Sequence, residues 1–130
     1  MVDGTRKTEG DKIRREVLGD EWVEPQARRA QGDPFRQVIQ DWVTESCWGY
    51  AWTRPGLPRK TRSMLNLAML TALDKQEELR GHVRGALRNG CTRAEIAEVL
   101  LHATVYAGTP CGVAAFRTAA AVFDELDGKK

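Results

Sequence analysis

Residues 59–73 read RKTRSMLNLAMLTAL, and this stretch decides the fold class. Pro58 precedes it, as prolines often do at the start of a helix. Apolar side chains recur on nearly every face of a helix drawn through the stretch, which is typical of a buried, central helix. The apolar residues are Met64, Leu65, Leu67, Ala68, Met69, Leu70 and Leu73. We therefore predict a central helix over residues 59–73.

Helical periodicity continues towards the N-terminus. A first helix ends at Gly19, and residues 20–32, which contain Pro25 and Gly32, are interpreted as a connector. Asp33 followed by Pro34 predicts the capped start of a second helix that ends near Cys47. Residues 47–62, CWGYAWTRPGLPRKTR, are then interpreted as an irregular loop.

Three more helices are predicted towards the C-terminus. The first covers residues 76–89 and stops at Gly90. The second starts at a capping box formed by Thr92 and Glu95 and ends near residue 107, and the last covers residues 111–126. No strand pattern occurs. We predict a compact all-α bundle of about six helices. It would form a single domain over residues 1–130, with residues 1–5 and 127–130 frayed.

Composition narrows the function classes. The 130 residues suit one domain, and 20 basic against 18 acidic residues give a net charge of +2, too balanced for a nucleic-acid-binding protein. The charged N-terminus and the absence of a long apolar run predict a soluble, cytoplasmic protein without a membrane partner.

The three cysteines lie far apart, so we expect free thiols, and the two histidines have no metal-ligand spacing. Helices that are apolar on several faces indicate a homo-oligomer, although a crowded monomer core explains the same pattern.

Glu78 and His82 are the first candidates for chemistry. They are four residues apart on one predicted helix and therefore share a face. A carboxylate beside an imidazole can orient it for proton transfer. The alternative is a surface pair on a helix rich in Glu and Arg, which the pattern alone favours.

The loop at residues 47–62 holds four more candidates. Arg54 and Arg62 can bind carboxylates in a bidentate manner, and Trp48 and Trp52 can exclude water around them. In the alternative, the tryptophans cover the core and the arginines face solvent. The two interpretations have about equal weight at this stage.

Tyr106 and Glu45 are two further candidates. Tyr106 precedes Gly108 at a predicted helix end and can present its hydroxyl to a pocket, although a core tyrosine is the commoner case. For Glu45 a solvated helix face is the slightly preferred interpretation.

Several segments together resemble a known family. The run from Glu45 through the WTRPGL segment at residues 52–57 to Ser63 resembles the signature of the γ-carboxymuconolactone decarboxylases. Glu78-Leu79 and His82, followed by ALRNG at residues 86–90, are similar to the next family segment. Similar stretches at residues 14–19 and 92–110 extend the resemblance over nearly the whole chain.

The resemblance implies an all-helical fold assembled into a ring of six subunits, with a trimer as the alternative, and no cofactor. It implies a carboxy-lyase that converts 4-carboxymuconolactone to 3-oxoadipate enol-lactone and CO₂ in the protocatechuate branch of the β-ketoadipate pathway. For that reaction His82, oriented by Glu78, is our candidate proton donor. The substrate-binding set is Arg54, Arg62, Trp48, Trp52, Tyr106 and Glu45, in which the arginines hold carboxylates and Tyr106 assists the oxyanion.

The same superfamily includes alkylhydroperoxidases of the AhpD kind, which carry a Cys-x-x-Cys-x-x-x-His motif. Here His82 occupies the histidine position, but Lys75 and Glu78 occupy the two cysteine positions, so a redox dithiol cannot form there. Two alternatives to the named reaction stay open. One is a related decarboxylase or isomerase of another small lactone or carboxylic acid, and the other is a non-catalytic helical oligomer that binds a small acid.

Overall fold

The chain is all-helical, as predicted. A computed structural model describes residues 4–129, and none of these residues forms a strand. The described residues form seven α-helices and one π-helix, against about six helices expected. The α-helices are α1 Gly4–Leu18, α2 Asp20–Ala30, α3 Pro34–Trp42, α4 Arg59–Ala72, α5 Gln76–Arg88, α6 Arg93–Ala107 and α7 Thr109–Leu126, and the π-helix is Val43–Ala51. The predicted frayed residues 1–3 and 130 lie outside the described residues.

The prediction of a connector over residues 20–32 is wrong, because residues 20–30 form α2. Pro25 lies inside this helix and cannot donate the backbone hydrogen bond of a regular turn. Val23 and Ala30, seven residues apart and hence on one face, are both fully buried. Their burial outweighs the hydrogen bond that Pro25 does not make.

The predicted loop over residues 47–62 is also wrong in its first part. The second helix changes at Val43 from α to π winding and continues as far as Ala51. The backbone N–H of Trp52 still donates to the carbonyl of Cys47, five residues back, at 3.0 Å. Within the predicted loop, only residues 52–58 are non-helical, and they form a short connection before α4.

Most predicted helix ends are confirmed. The Asp33 carboxylate accepts hydrogen bonds from the backbone N–H groups of Phe35 and Arg36 at 3.1 and 3.2 Å. Both hydrogen bonds of the capping box are present: the backbone N–H of Glu95 donates to the Thr92 hydroxyl, and the backbone N–H of Thr92 donates to the Glu95 carboxylate. In the tail that was expected to fray, Asp127 accepts two hydrogen bonds from the Arg93 guanidinium at 2.8 and 2.9 Å.

The chain divides into two compact units between Pro58 and Arg59. In the first unit α1 packs against the π-helix, and the core consists of Val17, Leu18, Val23, Trp48 and Trp52. In the second unit α4 contacts α5, α6 and α7, which confirms its central position. Its apolar residues are not all buried, however, because Leu65, Met69 and Leu73 of this segment are exposed in the single chain.

Backbone contact between α1 and the π-helix organises the first unit. A Cβ atom at Gly10 would lie 1.9 Å from the carbonyl oxygen of Thr44, and one at Gly49 would lie 2.4 Å from the carbonyl oxygen of Arg6. Real Cβ atoms do not approach other atoms so closely, so both positions require glycine. The contact holds Arg6 of α1 beside the C-terminal half of the π-helix.

We predict that Gly10→Ala lowers the free energy of unfolding by about 1–3 kcal/mol or more, because the methyl group meets a carbonyl oxygen and not a movable side chain. Urea unfolding followed by far-UV circular dichroism measures this change. Gly56→Ala is the matched control, since a Cβ atom there meets nothing within 4 Å. Equal stability of the two variants would contradict the close helix contact.

Candidate active site

The two candidate tryptophans lie in the core of the first unit. The rings of Trp48 and Trp52 are stacked, with their centroids 4.7 Å apart and their planes at 23°. Their exposed fractions are only 4 % and 8 %. The structure therefore shows the packing role that the sequence left as an alternative. Their predicted second role, as an apolar wall beside a carboxylate, stays a prediction.

Arg54 lies just after the π-helix, beside Tyr50. Its Nη1 group donates a hydrogen bond to the Tyr50 hydroxyl at 3.2 Å, and its Cζ atom lies 5.3 Å from the centroid of the Tyr50 ring. The Cζ atom of Arg6 lies 5.2 Å from the same centroid. Sequence reasoning missed Arg6, because nothing in the sequence pattern connects residue 6 with residue 50.

A cavity of about 380 Å³ opens at this cluster. We call it the Tyr50 pocket. Its lining includes Arg6, Glu9, Gly49, Tyr50, Thr53 and Arg54. Two guanidinium groups and one carboxylate leave the lining with a net positive charge, which suits an anionic ligand.

Glu45 lies in the π-helix with one carboxylate oxygen, Oε1, buried and without a hydrogen-bond partner among residues 4–129. The charge of Glu45 acts on Lys7 of α1. The pKa of the Lys7 ammonium is raised, chiefly by its hydrogen bond to Asp41 and to a smaller extent by the charge of Glu45. A buried carboxylate oxygen without a donor costs free energy, so this position is not optimised for stability.

In the second unit, His82 of α5 is half-buried, and its Nδ1 atom lies 3.5 Å from Nδ2 of Asn66 in α4. Glu78, the predicted orienting group, is exposed on the same helix. Sequence reasoning missed Asn66, although a signal existed. It is the one amide in the otherwise apolar run MLNLAML at residues 64–70.

Arg62 and Tyr106 lie on two other helices of the second unit. Arg62 is half-buried on α4, four residues before Asn66 and therefore on the same face. Tyr106 is 81 % exposed near the end of α6, and its ring is tilted against that of His102 with 5.3 Å between the centroids. Tyr106 is therefore not a core tyrosine in the single chain.

The cysteines are free thiols, as predicted. Burial raises the pKa of the Cys47 thiol, and Arg14 opposes the shift only in part. Burial likewise raises the pKa of the Cys91 thiol. A raised pKa disfavours the thiolate, so neither group has the properties of a nucleophile.

Residues 4–129 contain neither a metal-binding cluster nor a membrane-spanning helix. Within residues 4–129, no three His, Cys, Asp or Glu side chains are placed to hold a metal ion together. No helix in this part of the chain has the length and apolar character needed to cross a membrane.

Comparison with known proteins places the fold and these residues in a family. The model of the carboxymuconolactone decarboxylase family matches residues 38–125. A 4-carboxymuconolactone decarboxylase of Acinetobacter baylyi is 40 % identical over 126 residues, which are 97 % of this chain and 92 % of the relative. The chain belongs to the carboxymuconolactone decarboxylase family, as its sequence motifs predicted.

A second relative has a different named substrate. The nitrosuccinic acid decarboxylase of Metarhizium robertsii is 46 % identical over 120 residues, which are 92 % of this chain and 82 % of the relative. Both relatives are decarboxylases, and they confirm the class predicted from the sequence, a carboxy-lyase.

We predict that Glu45→Gln raises the free energy of unfolding by about 1 kcal/mol, because a neutral amide replaces a charged group that has a buried, unpartnered oxygen. Chemical denaturation measures the change. Glu98→Gln, at an exposed position on α6, is the control and should change stability by less than about 0.5 kcal/mol. A less stable Glu45→Gln protein would show that the carboxylate has a structural partner.

Proposed function

We propose that this chain is a cofactor-free decarboxylase that converts 4-carboxymuconolactone to 3-oxoadipate enol-lactone and CO₂ in protocatechuate catabolism. The observation that supports this substrate most directly is the 40 % identity, over 97 % of the chain, to an enzyme named for the same reaction. A place in the β-ketoadipate pathway and a cytoplasmic location belong to the same proposal.

Decarboxylation of nitrosuccinate is the second candidate, favoured by the 46 % identity to the fungal relative. The two substrates share one chemical framework. In each, one carbon carries the departing carboxylate, a –CH₂–COO⁻ arm and a group that accepts electrons. The acceptor is an unsaturated lactone in one acid and a nitro group in the other. We infer that the enzyme acts on substituted succinates of this kind.

The chemistry follows from that framework. As the bond to the carboxylate breaks, its electron pair moves into the acceptor group, CO₂ leaves, and negative charge develops on an oxygen of the lactone or nitro group. A proton then adds to the resulting anion, so that the carboxylate and one proton yield CO₂ and a C–H bond. The substrate supplies its own electron acceptor, which is why the proposed reaction needs no cofactor. The protein must bind carboxylates, stabilise the oxyanion and supply the proton.

The candidate residues divide among these tasks. Arg54 and Arg62 bind carboxylate groups, since a guanidinium matches a carboxylate in geometry and charge. Trp48 and Trp52 provide an apolar surface, against which loss of neutral CO₂ is favoured over retention of the anion. Tyr106 donates to the oxyanion. Glu45 belongs to the substrate-binding set, and its unpartnered oxygen supports that role because stability does not account for it.

His82 is the proposed proton donor. The unperturbed pKa of histidine is about 6.5, so an imidazole readily exchanges protons near neutral pH. Glu78 is its proposed orienting group, and Asn66 is a second one because its amide lies beside Nδ1. With Nδ1 next to the amide, proton delivery is assigned to Nε2.

We also propose that the chain assembles into a homo-oligomeric ring of six subunits. One face of α3 supports this, because Phe35, Val38, Ile39 and Trp42 recur at helical spacing and are 54–87 % exposed. Apolar side chains of α6, including Leu101 and Val105, are exposed as well. Exposed apolar surfaces of this kind mark contacts between proteins.

The substrate assay has one decisive variant and one control. Purified protein is mixed with 4-carboxymuconolactone, and separately with nitrosuccinate, while CO₂ release is followed with and without EDTA. We expect metal-independent turnover that His82→Ala lowers by roughly 10²–10⁴-fold. His102→Ala removes the other histidine, which is exposed, and should retain activity. A folded His82→Ala protein with normal turnover contradicts the donor role. No CO₂ from either acid contradicts the proposed function.

The oligomer is tested by light scattering after size-exclusion chromatography. We expect the wild-type protein to elute with the mass of six chains, and Val38→Glu to shift it to smaller species by placing a charge on the exposed face of α3. Arg29→Glu, on the exposed side of α2, is the control and should leave the mass unchanged. A monomeric wild-type protein would contradict the ring.

A further inference from the structure

We propose that the Tyr50 pocket is the subsite for the carboxylate that the substrate retains, the –CH₂–COO⁻ arm, with Arg6 and Arg54 as its two cations. This inference rests on the proposed function and extends it. It gives Arg6 a role in binding substrate, and it identifies the retained carboxylate as the group that Arg54 binds.

The geometry of the two arginines supports this assignment. Their Cζ atoms lie 5.2 and 5.3 Å from the centroid of one tyrosine ring, so both guanidinium groups are held at the same side chain. Arg54 also donates a hydrogen bond to the Tyr50 hydroxyl at 3.2 Å. A guanidinium has five N–H donors, and a carboxylate accepts two of them in parallel. Both guanidinium groups line the same cavity, and in the proposal they bind one carboxylate there.

The pocket is held in place before any ligand binds. The backbone contact at Gly49 fixes α1, and with it Arg6, against the π-helix. On the other side, the Thr53 hydroxyl is within hydrogen-bond distance of two backbone carbonyl oxygens, that of Gly49 at 2.9 Å and that of Tyr50 at 3.0 Å. A backbone with a fixed geometry loses less entropy when a ligand binds, which favours binding.

The charge and size of the pocket define the ligand class. Arg6 and Arg54 outweigh the single carboxylate of Glu9 in the lining, so an anion is attracted and a cation is not selected. The volume of about 380 Å³ lies at the lower end of small-ligand sites. The carboxymethyl arm is the part that 4-carboxymuconolactone and nitrosuccinate share, whereas their acceptor groups differ. The pocket therefore fits small dicarboxylates of the succinate type.

Titration with succinate tests the pocket without turnover. Isothermal calorimetry on the full-length protein should show binding that Arg6→Gln and Arg54→Gln each weaken by about tenfold, since each removes one charged donor pair. Glutamine keeps the Cβ and Cγ atoms of Arg6, so the packing against Gly49 is preserved. Arg28→Gln, an exposed arginine of α2, is the matched control and should stay within twofold. Glu9→Gln should tighten binding, because it removes the one negative charge.

Steady-state kinetics provides the second measurement. With 4-carboxymuconolactone, Arg6→Gln should raise KM about tenfold and leave kcat unchanged, because the arm is bound equally in the ground and transition states. Succinate should inhibit the wild-type enzyme competitively. If the wild-type protein does not bind succinate, or if Arg6→Gln binds it as well as wild type does, the proposal is overturned. If wild type binds succinate through both arginines but releases no CO₂ from either acid, the subsite stands and the proposed reaction fails.

Discussion

The contact between α1 and the π-helix is the constraint on which the first unit depends. Gly10 and Gly49 let two helix backbones meet without intervening side chains. From that contact the positions of several functional candidates follow. Trp48 and Trp52 are turned into the core, Glu45 has one oxygen buried, and Arg6 is carried to the ring of Tyr50. A side chain at either glycine would separate the helices and displace all of these groups together.

In the proposed reaction, substrate and protein divide the chemical work, so the candidate site needs few reactive groups. An acid with its own electron acceptor needs no metal or organic cofactor to take up the electron pair, and the proposed mechanism accordingly uses only charge, shape and one proton donor. The arginines, the imidazole of His82 and the phenol of Tyr106 supply these functions in the proposal. Burial raises the pKa of the Cys47 and Cys91 thiols, which agrees with the proposal because no step requires a thiolate.

Sequence patterns predicted those features that depend on local chemistry. The caps at Asp33, Thr92 and Gly90 depend on side chains and backbone angles within a few residues, and all three are found where the pattern placed them. Helix α2 was missed because Pro25 is a strong local breaker, whereas the burial of Val23 and Ala30 that overrides it is a tertiary effect. The π winding has no known residue code. In the candidate site, Arg6 approaches Tyr50 and Asn66 approaches His82. Each pair is far apart in the sequence, so no helical or strand periodicity of a single sequence predicts the contact.

The boundary between Pro58 and Arg59 has a practical consequence for studies of folding. All four tryptophans, Trp22, Trp42, Trp48 and Trp52, precede it, and none follows. Intrinsic tryptophan emission is therefore a probe of the first unit alone, whereas helical dichroism reports on both. If the two signals change at the same denaturant concentration, the units unfold as one cooperative body, and if they separate, a half-folded species is populated between them.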